Sequence, residues 1–197
     1  MAKLIFRYGT TGSGKTLDLI KVDYNYRENG MGTLILTSKI DDRYGQDLVK
    51  SRTGVKREAV GVSVNDDLVK IVEYKKSILG DKLNCILVDE VQFFSTPQVY
   101  QLAEIVDTLN IPVICYGLRG DFRKLPFEST SVLMTIADSL EEMKTICSVC
   151  GQKKATVSAR LINGKVTDKG EQIEIGGNEK YKPMCRKCHN GLLKGRN

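Results

Sequence analysis

The chain has 197 residues, of which 41% are hydrophobic and 27% charged, which excludes disorder and suggests one or two domains with a core that needs no disulfide staples. No apolar run reaches the ~18 residues of a membrane span. The opening Met1–Tyr8 stretch is too charged for a secretory signal, so a cytoplasmic protein with no membrane partner is expected. The net charge of +6 is unevenly placed: residues 1–140 hold eighteen basic and eighteen acidic side chains, residues 141–197 twelve and six.

Residues 4–8 read as a strand, followed by a Gly-rich turn and a helix from about Lys15 to Asn29, with Gly30 as its stop. A second strand is predicted at 33–37. Residues 41–58 are charged and weakly patterned, and read as a long loop. Helical spacing of Leu68, Val69, Ile71 and Val72 predicts a helix from Asp66 to about Leu79. The continuous apolar run 85–88 reads as a strand covered on both faces. Ser95 or Thr96 caps a helix with Pro97 in its first turn, ending near Leu109. Residues 111–118 form another buried strand. Strands alternating with helices imply a mostly parallel sheet with helices on both faces, an α/β fold. From about Thr145 the pattern changes: a strand over 155–162, a hairpin turn at Asn163-Gly164, and a Gly-rich loop over 170–177. The expected organisation is an α/β nucleotide-binding unit over 1–140 and a small β-rich unit over 141–197.

Three motifs carry chemistry. Gly9-Thr10-Thr11-Gly12-Ser13-Gly14-Lys15-Thr16 matches GxxxxGK[ST], between a predicted strand and a predicted helix. Glycines let backbone N–H groups converge on phosphate oxygens at a helix N-terminus. Lys15 neutralises the outer phosphates, and the Thr16 hydroxyl can ligate Mg²⁺. Next, Asp89 and Glu90 end the buried 85–88 strand. Asp89 suits the metal-side carboxylate of a P-loop enzyme, and Glu90 a base; alternatively, both are solvated acids at a strand end. Third, Cys147, Cys150, Cys185 and Cys188 form two CxxC pairs thirty-four residues apart. In a chain with no export signal these read as Zn²⁺ ligands rather than disulfides. Four thiolates around Zn²⁺ contribute −2, which weakens a nucleic-acid reading of the basic tail. His189, beside Cys188, is read as a surface or supporting residue, and Cys85 and Cys115 as core.

Other features leave alternatives open. Phe93, Phe94, Phe122 and Phe127 can stack on a base or pack in a core. In Asp41-Asp42-Arg43-Tyr44, an arginine can reach phosphoryl oxygens or lie on a surface turn.

Taken together, the chain resembles the thymidine kinases of bacteria and of the animal cytosol, over nearly its whole length. The resemblance rests on the phosphate loop, Asp41–Tyr44, Val88–Phe94, Gly117–Arg123, Ile175–Tyr181 and the cysteine pairs. It implies a P-loop (RecA-like) fold with a zinc-stapled C-terminal unit, and ATP-dependent phosphorylation of thymidine, and of deoxyuridine, at the 5′-hydroxyl. It further implies Glu90 as base, Asp89 on Mg²⁺ through water, and Asp41, Arg43 and Gln92 with Gly9–Thr16 on the nucleotide side. Phe93, Leu118, Phe122, Phe127, Ser158, Ile175, Gly176 and Tyr181 would surround the nucleoside, with the 170–181 loop closing over it. A homotetramer, feedback inhibition by thymidine triphosphate and no nucleic-acid partner are implied as well. Many members carry Met and then a bulky or amide residue where this chain has Thr11 and Gly12. The competing reading is a nucleic-acid-dependent P-loop ATPase with a zinc module, since Asp89-Glu90-Val91-Gln92 resembles a helicase acidic box; helicases of that kind need a second motor domain.

Overall fold

The computed structural model describes residues 1–41, 45, 47–177 and 179–195. Strands β1 (Leu4–Tyr8), β2 (Gly32–Ser38), β5 (Val60–Val62), β6 (Leu83–Val88), β7 (Val113–Gly117) and β8 (Ser139–Glu142) form one sheet in the order β5-β2-β6-β7-β1-β8. Every pairing in it is parallel. A parallel sheet needs cover on both faces, and alternate side chains divide accordingly. Leu34, Leu36, Ile86, Val88, Val113 and Cys115 join one core with helices α2 (Leu68–Leu79), α3 (Thr96–Leu109) and α4 (Glu128–Ile136). Ile35, Cys85, Leu87, Ile114 and Tyr116 join the other with α1 (Lys15–Glu28). Cys85 and Cys115 are wholly buried, as expected.

The expected long loop over 41–58 is corrected. Leu48–Lys50 (β3) and Lys56–Glu58 (β4) pair as an antiparallel hairpin, followed directly by edge strand β5. Three-residue strands are too short to show a period of two, and β4 alternates exposed and half-buried positions with no apolar face. The hairpin is held by Val49 of β3, buried in the α1-side core, and by charge. Asp23 of α1 is fully buried and accepts from Arg27 Nε at 2.7 Å, from Arg57 Nε of β4 at 2.9 Å and from the Thr33 hydroxyl. Two of the four buried positions on α1 are Lys15 and Asp23, which is why that helix shows so little apolar stripe. Helix α4 and strand β8 had no sequence signal, α4 being rich in Ser and Thr.

The C-terminal residues form a three-stranded antiparallel sheet, β10-β9-β11, from Val157–Ile162 (β9), Lys165–Thr167 (β10) and Tyr181–Met184 (β11), followed by α5 (Arg186–Leu193). The hairpin turn falls at Asn163-Gly164, both at positive φ (49° and 75°), the geometry Asn-Gly favours. It docks on the larger sheet through polar contacts: Thr11 N–H donates to Ser158 Oγ at 2.9 Å, and Lys124 Nζ to Asn190 Oδ1 at 2.9 Å.

Burial works to raise the Asp23 carboxyl, but the Thr33 hydroxyl and the two arginines outweigh it and hold it below the usual carboxylate range. Its contribution to stability is therefore complete above about pH 4 and lost as pH falls through the depressed value. Asp23→Ala should cost about 2–4 kcal/mol in urea unfolding at pH 7, with a smaller difference from the parent at acid pH.

Candidate active site

Strands of a parallel sheet all end on one edge, and the site is built there. The chain leaves β1 through Gly9–Gly14 and enters α1 at Lys15. Gly12 and Gly14 have φ of 75° and 82°, where a side chain would be strained. At Gly9 a Cβ would lie 2.5 Å from the Met143 carbonyl oxygen. Lys15 Nζ donates to the Thr10 carbonyl at 2.9 Å, folding its charge over the loop.

The end of β6 delivers the acidic pair. Between β1 and β6 lies β7, which ends in Gly117, and a Cβ there would come within 2.7 Å of Val91 and 2.8 Å of Gln92. The absence of that side chain lets the turn after β6 cross toward the phosphate loop. The Thr16 hydroxyl donates to Asp89 Oδ2 at 3.0 Å, a hydroxyl–carboxylate pair suited to Mg²⁺ and its water shell. Asp89 is buried, and burial, then the neighbouring Glu90 carboxylate, push it up to about 7.

Glu90 has φ 50° and ψ 43°, a left-handed backbone in a residue that is not glycine. Such strain is concentrated at functional positions. Its Oε2 accepts from Gln92 Nε2 at 2.6 Å, while Gln92 Oε1 accepts from Leu118 N–H at 3.0 Å. The carboxylate is thereby oriented from β7.

These groups share one cavity of about 550 Å³. Its wall is formed by Thr11, Gly12, Gly14, Lys15 and Thr16 of the phosphate loop and α1, by Glu90 and Gln92 after β6, and by Phe93, Leu118, Phe122, Phe127, Ser158, Ile175, Gly176 and Tyr181. Phe122 and Phe127 are nearly fully buried. Gly9 and Thr10 lie behind the loop, against a separate small cavity, and the Ser13 hydroxyl is buried. Asp41 follows β2, its N–H on the Ser38 carbonyl at 3.1 Å, and is not among the described residues that wall the cavity. Arg43 lies outside the described residues.

The wall also includes residues that sequence reasoning missed. Lys50, Ser51, Arg52 and Thr53 come from the β3–β4 hairpin, and Arg52 Nη2 donates to the Thr11 hydroxyl. Gln172, Glu174 and Glu179 come from the C-terminal loop. Only a prediction of that hairpin could have found the first group, and its strands carry no periodic signal.

Cys147, Cys150, Cys185 and Cys188 bring their sulfurs within 4.8 Å of one another. A tetrahedron with Zn–S bonds of ~2.3 Å has edges of about 3.8 Å, so the set fits zinc. Burial works against the Cys147 thiolate, but backbone N–H groups of residues 150, 185 and 149 pull it down to about 6. The neighbouring Cys185 sulfur, followed by burial and the other two sulfurs, pushes Cys188 up to about 12. Four sulfurs this close cannot all ionise without a cation among them. His189 is fully buried, which corrects the surface alternative, and it stands outside the four-sulfur cluster.

A family model described as thymidine kinase matches residues 2–189. The chain belongs to the thymidine kinase family. A thymidine kinase of Listeria monocytogenes is 50% identical over 190 residues, covering 96% of this chain and 97% of that protein. One from Streptococcus pyogenes is 46% identical over 187 residues, covering 95% and 96%. Among solved structures, Pif1 helicase from Candida albicans is similar at a TM-score of 0.44 with 14% identity, covering 74% of this chain and 36% of that one, a likeness too slight to bear on activity. Among the described residues, no helix is long and apolar enough to cross a membrane.

A carboxyl must be ionised to serve a metal. Because Asp89 lies near 7 in the nucleotide-free protein, affinity for Mg·ATP should fall about tenfold per unit below about pH 7 and level off above it. Calorimetric titrations across pH, with the protonation of ATP itself subtracted, check this. A carboxyl raised by folding destabilises the fold as pH climbs from about 4 to its raised value. Asp89→Asn should therefore raise the melting temperature of the nucleotide-free protein at pH 8 while Mg·ATP use is lost.

Proposed function

We propose that this chain transfers the γ-phosphoryl group of ATP to the 5′-hydroxyl of thymidine, and of deoxyuridine. The observation that carries the reading is a single cavity in which a phosphate loop and an aromatic cleft meet at one carboxylate, in a chain 50% identical to a named thymidine kinase.

In this reading the backbone N–H groups of Gly12 and Gly14 at the start of α1 and the Lys15 ammonium hold the triphosphate. Thr16 and Asp89 would hold Mg²⁺, which when bound supplies charge neutralisation on the phosphates. Asp41 and Arg43 attend the phosphate side, and Gln92 fixes the angle of Glu90. The Glu90 carboxylate accepts the proton of the sugar hydroxyl as its oxygen forms a bond to the γ-phosphorus and the bond to the ADP oxygen breaks. Phe93, Leu118, Phe122 and Phe127 pack around the base, Ser158 reads its edge, and Ile175, Gly176 and Tyr181 cover the nucleoside. Excluding water there keeps the phosphoryl group from hydrolysis.

The ATP-binding unit over 1–140 supplies the phosphate loop, Glu90 and the phenylalanines, and the nucleoside-covering unit over 141–197 supplies Ser158, Ile175, Gly176 and Tyr181, with zinc on the four cysteines holding the second together. A nucleoside joined to a triphosphate offers both groups that the cavity accommodates, which supports thymidine triphosphate as a feedback inhibitor. Nucleoside and ATP as substrates fit a cytoplasmic enzyme with no nucleic-acid partner. The family resemblance supports a homotetramer, which sedimentation tests.

A nucleoside panel with radiolabelled ATP tests the class and the substrate together. Labelled thymidine monophosphate is expected; ATP hydrolysis stimulated by single-stranded DNA, with no nucleoside labelled, would replace this reading with the ATPase. Glu90→Gln should keep ATP and thymidine affinity while kcat falls about 100-fold or more, and near-normal turnover would remove Glu90 from its role. Metal analysis of fresh protein should find about one zinc per chain, and its chelation should release the 141–197 unit to proteolysis.

A further inference from the structure

Arg160 lies in the middle of β9 and is 1% exposed, a charged side chain with almost no access to water. It does not wall the nucleoside cavity but stands immediately behind it. Its guanidinium carbon lies 3.8 Å from the centroid of the Phe122 ring, a stacked arrangement. The same group donates through Nε and Nη2 to the Tyr181 hydroxyl at 3.0 and 2.7 Å. It also reaches the Glu171 carbonyl through Nη1 at 2.7 Å and the Gln172 carbonyl through Nη2 at 3.3 Å. The Glu174 carboxylate faces it at 3.4 Å, and the Tyr181 hydroxyl donates a hydrogen bond to the Glu174 backbone carbonyl at 2.7 Å. Gly170 is tight against it: a Cβ there would lie 3.1 Å from Nη1, at a φ of 111° that side chains rarely adopt.

Burying a guanidinium is costly unless its donors and its charge are matched. Here the matching partners are the backbone of the 170–174 segment, the Tyr181 phenol and an aromatic face. All of them belong to, or directly support, the wall around the nucleoside end of the cavity. The planar fork is what allows one group to stack on a ring and hydrogen-bond at its edge simultaneously. A lysine ammonium cannot do both at once in this geometry. Were the segment to lift away, Arg160 would lose its carbonyl partners and remain buried against Phe122. The segment is therefore held down by the penalty on the charge beneath it.

We propose that Arg160 is a positioning residue that holds the 170–177 segment against Phe122, so that nucleoside binding and exclusion of water from the transferred phosphoryl group depend on it. The proposal rests on the kinase reading above. It touches no reacting atom, so its effect falls on nucleoside affinity and on coupling rather than on the phosphate loop.

The test is Arg160→Lys in the full-length protein, with wild type assayed alongside. The expected result is a rise of about tenfold in KM for thymidine, with KM for ATP changed by less than about twofold. ADP should form in excess of thymidine monophosphate, because water reaches the phosphoryl group. Zinc content should stay near wild type, while the melting temperature should fall modestly because the ammonium leaves part of the buried charge unmatched. If KM for thymidine holds and ADP still matches product one for one, the proposal is overturned. It is equally overturned if both KM values rise together, which is the mark of general structural support. Should the lysine variant not fold, Arg160→Met keeps the bulk without the charge and carries the same readouts. Absence of labelled nucleotide from wild type would instead strike the kinase reading itself.

Discussion

The contact that organises the molecule is the hydroxyl of Thr16 on the carboxylate of Asp89, 3.0 Å across the end of the sheet. The two residues belong to elements flanking β1 and β6, which are not neighbours; β7 runs between them. Bringing them together requires a parallel sheet, so that both connections emerge on one edge, and a residue without a side chain where β7 ends. Gly117 meets the second requirement. The same crossing forces Glu90 into a left-handed backbone and sends Gln92 back to the Leu118 amide. One geometric demand thus places Asp89, the proposed metal-side carboxylate, together with the proposed base and its orienting amide. Local strain at Glu90 is sustained because the neighbouring bonds over-determine it.

Burial of Asp89 follows from that arrangement and gives it a chemical consequence. A carboxyl surrounded by strand ends and facing a second carboxylate prefers to be neutral until a cation arrives. The nucleotide-free site therefore sits above its lowest attainable energy, and Mg·ATP relieves part of that cost on binding. The cysteine cluster follows the same rule: backbone N–H groups favour thiolates at Cys147 and Cys150, while the neighbouring sulfurs oppose ionisation at Cys188. In both places a concentration of potential negative charge marks where a cation belongs.

Motifs whose chemistry is local were legible in the sequence. The phosphate loop needs glycine at specific positions, the acid pair needs a buried strand before it, and the cysteine pairs need two-residue gaps. What could not be read depends on placement by the fold. The β3–β4 hairpin has strands of three residues, too short to show a period, and beyond Val49 in the core it is fixed by Arg57 on a carboxylate buried in α1. Nothing within 41–58 shows that partner. Arg160 alternates with its neighbours as any strand residue does, and only the approach of Phe122 and the 170–174 segment makes it distinctive. His189 reads as surface or supporting from its place beside Cys188, whereas the packing of α5 buries it completely.

Thr11 shows how such fold-dependent contacts change the meaning of a motif position. In the generic phosphate loop this position is unspecified. Here its amide donates to Ser158 of β9, and its hydroxyl accepts from Arg52 of the hairpin. The phosphate loop, the hairpin and the C-terminal sheet therefore meet on one residue. A methionine at this place would keep the amide contact but could not receive the arginine well, since a thioether is a weak acceptor. The smaller hydroxyl is thus matched to Arg52 in this chain. With a hydroxyl at Thr11, the hairpin is tied to the phosphate loop by a directional bond rather than by packing alone, and the two elements that border the phosphate end of the cavity are held in fixed register.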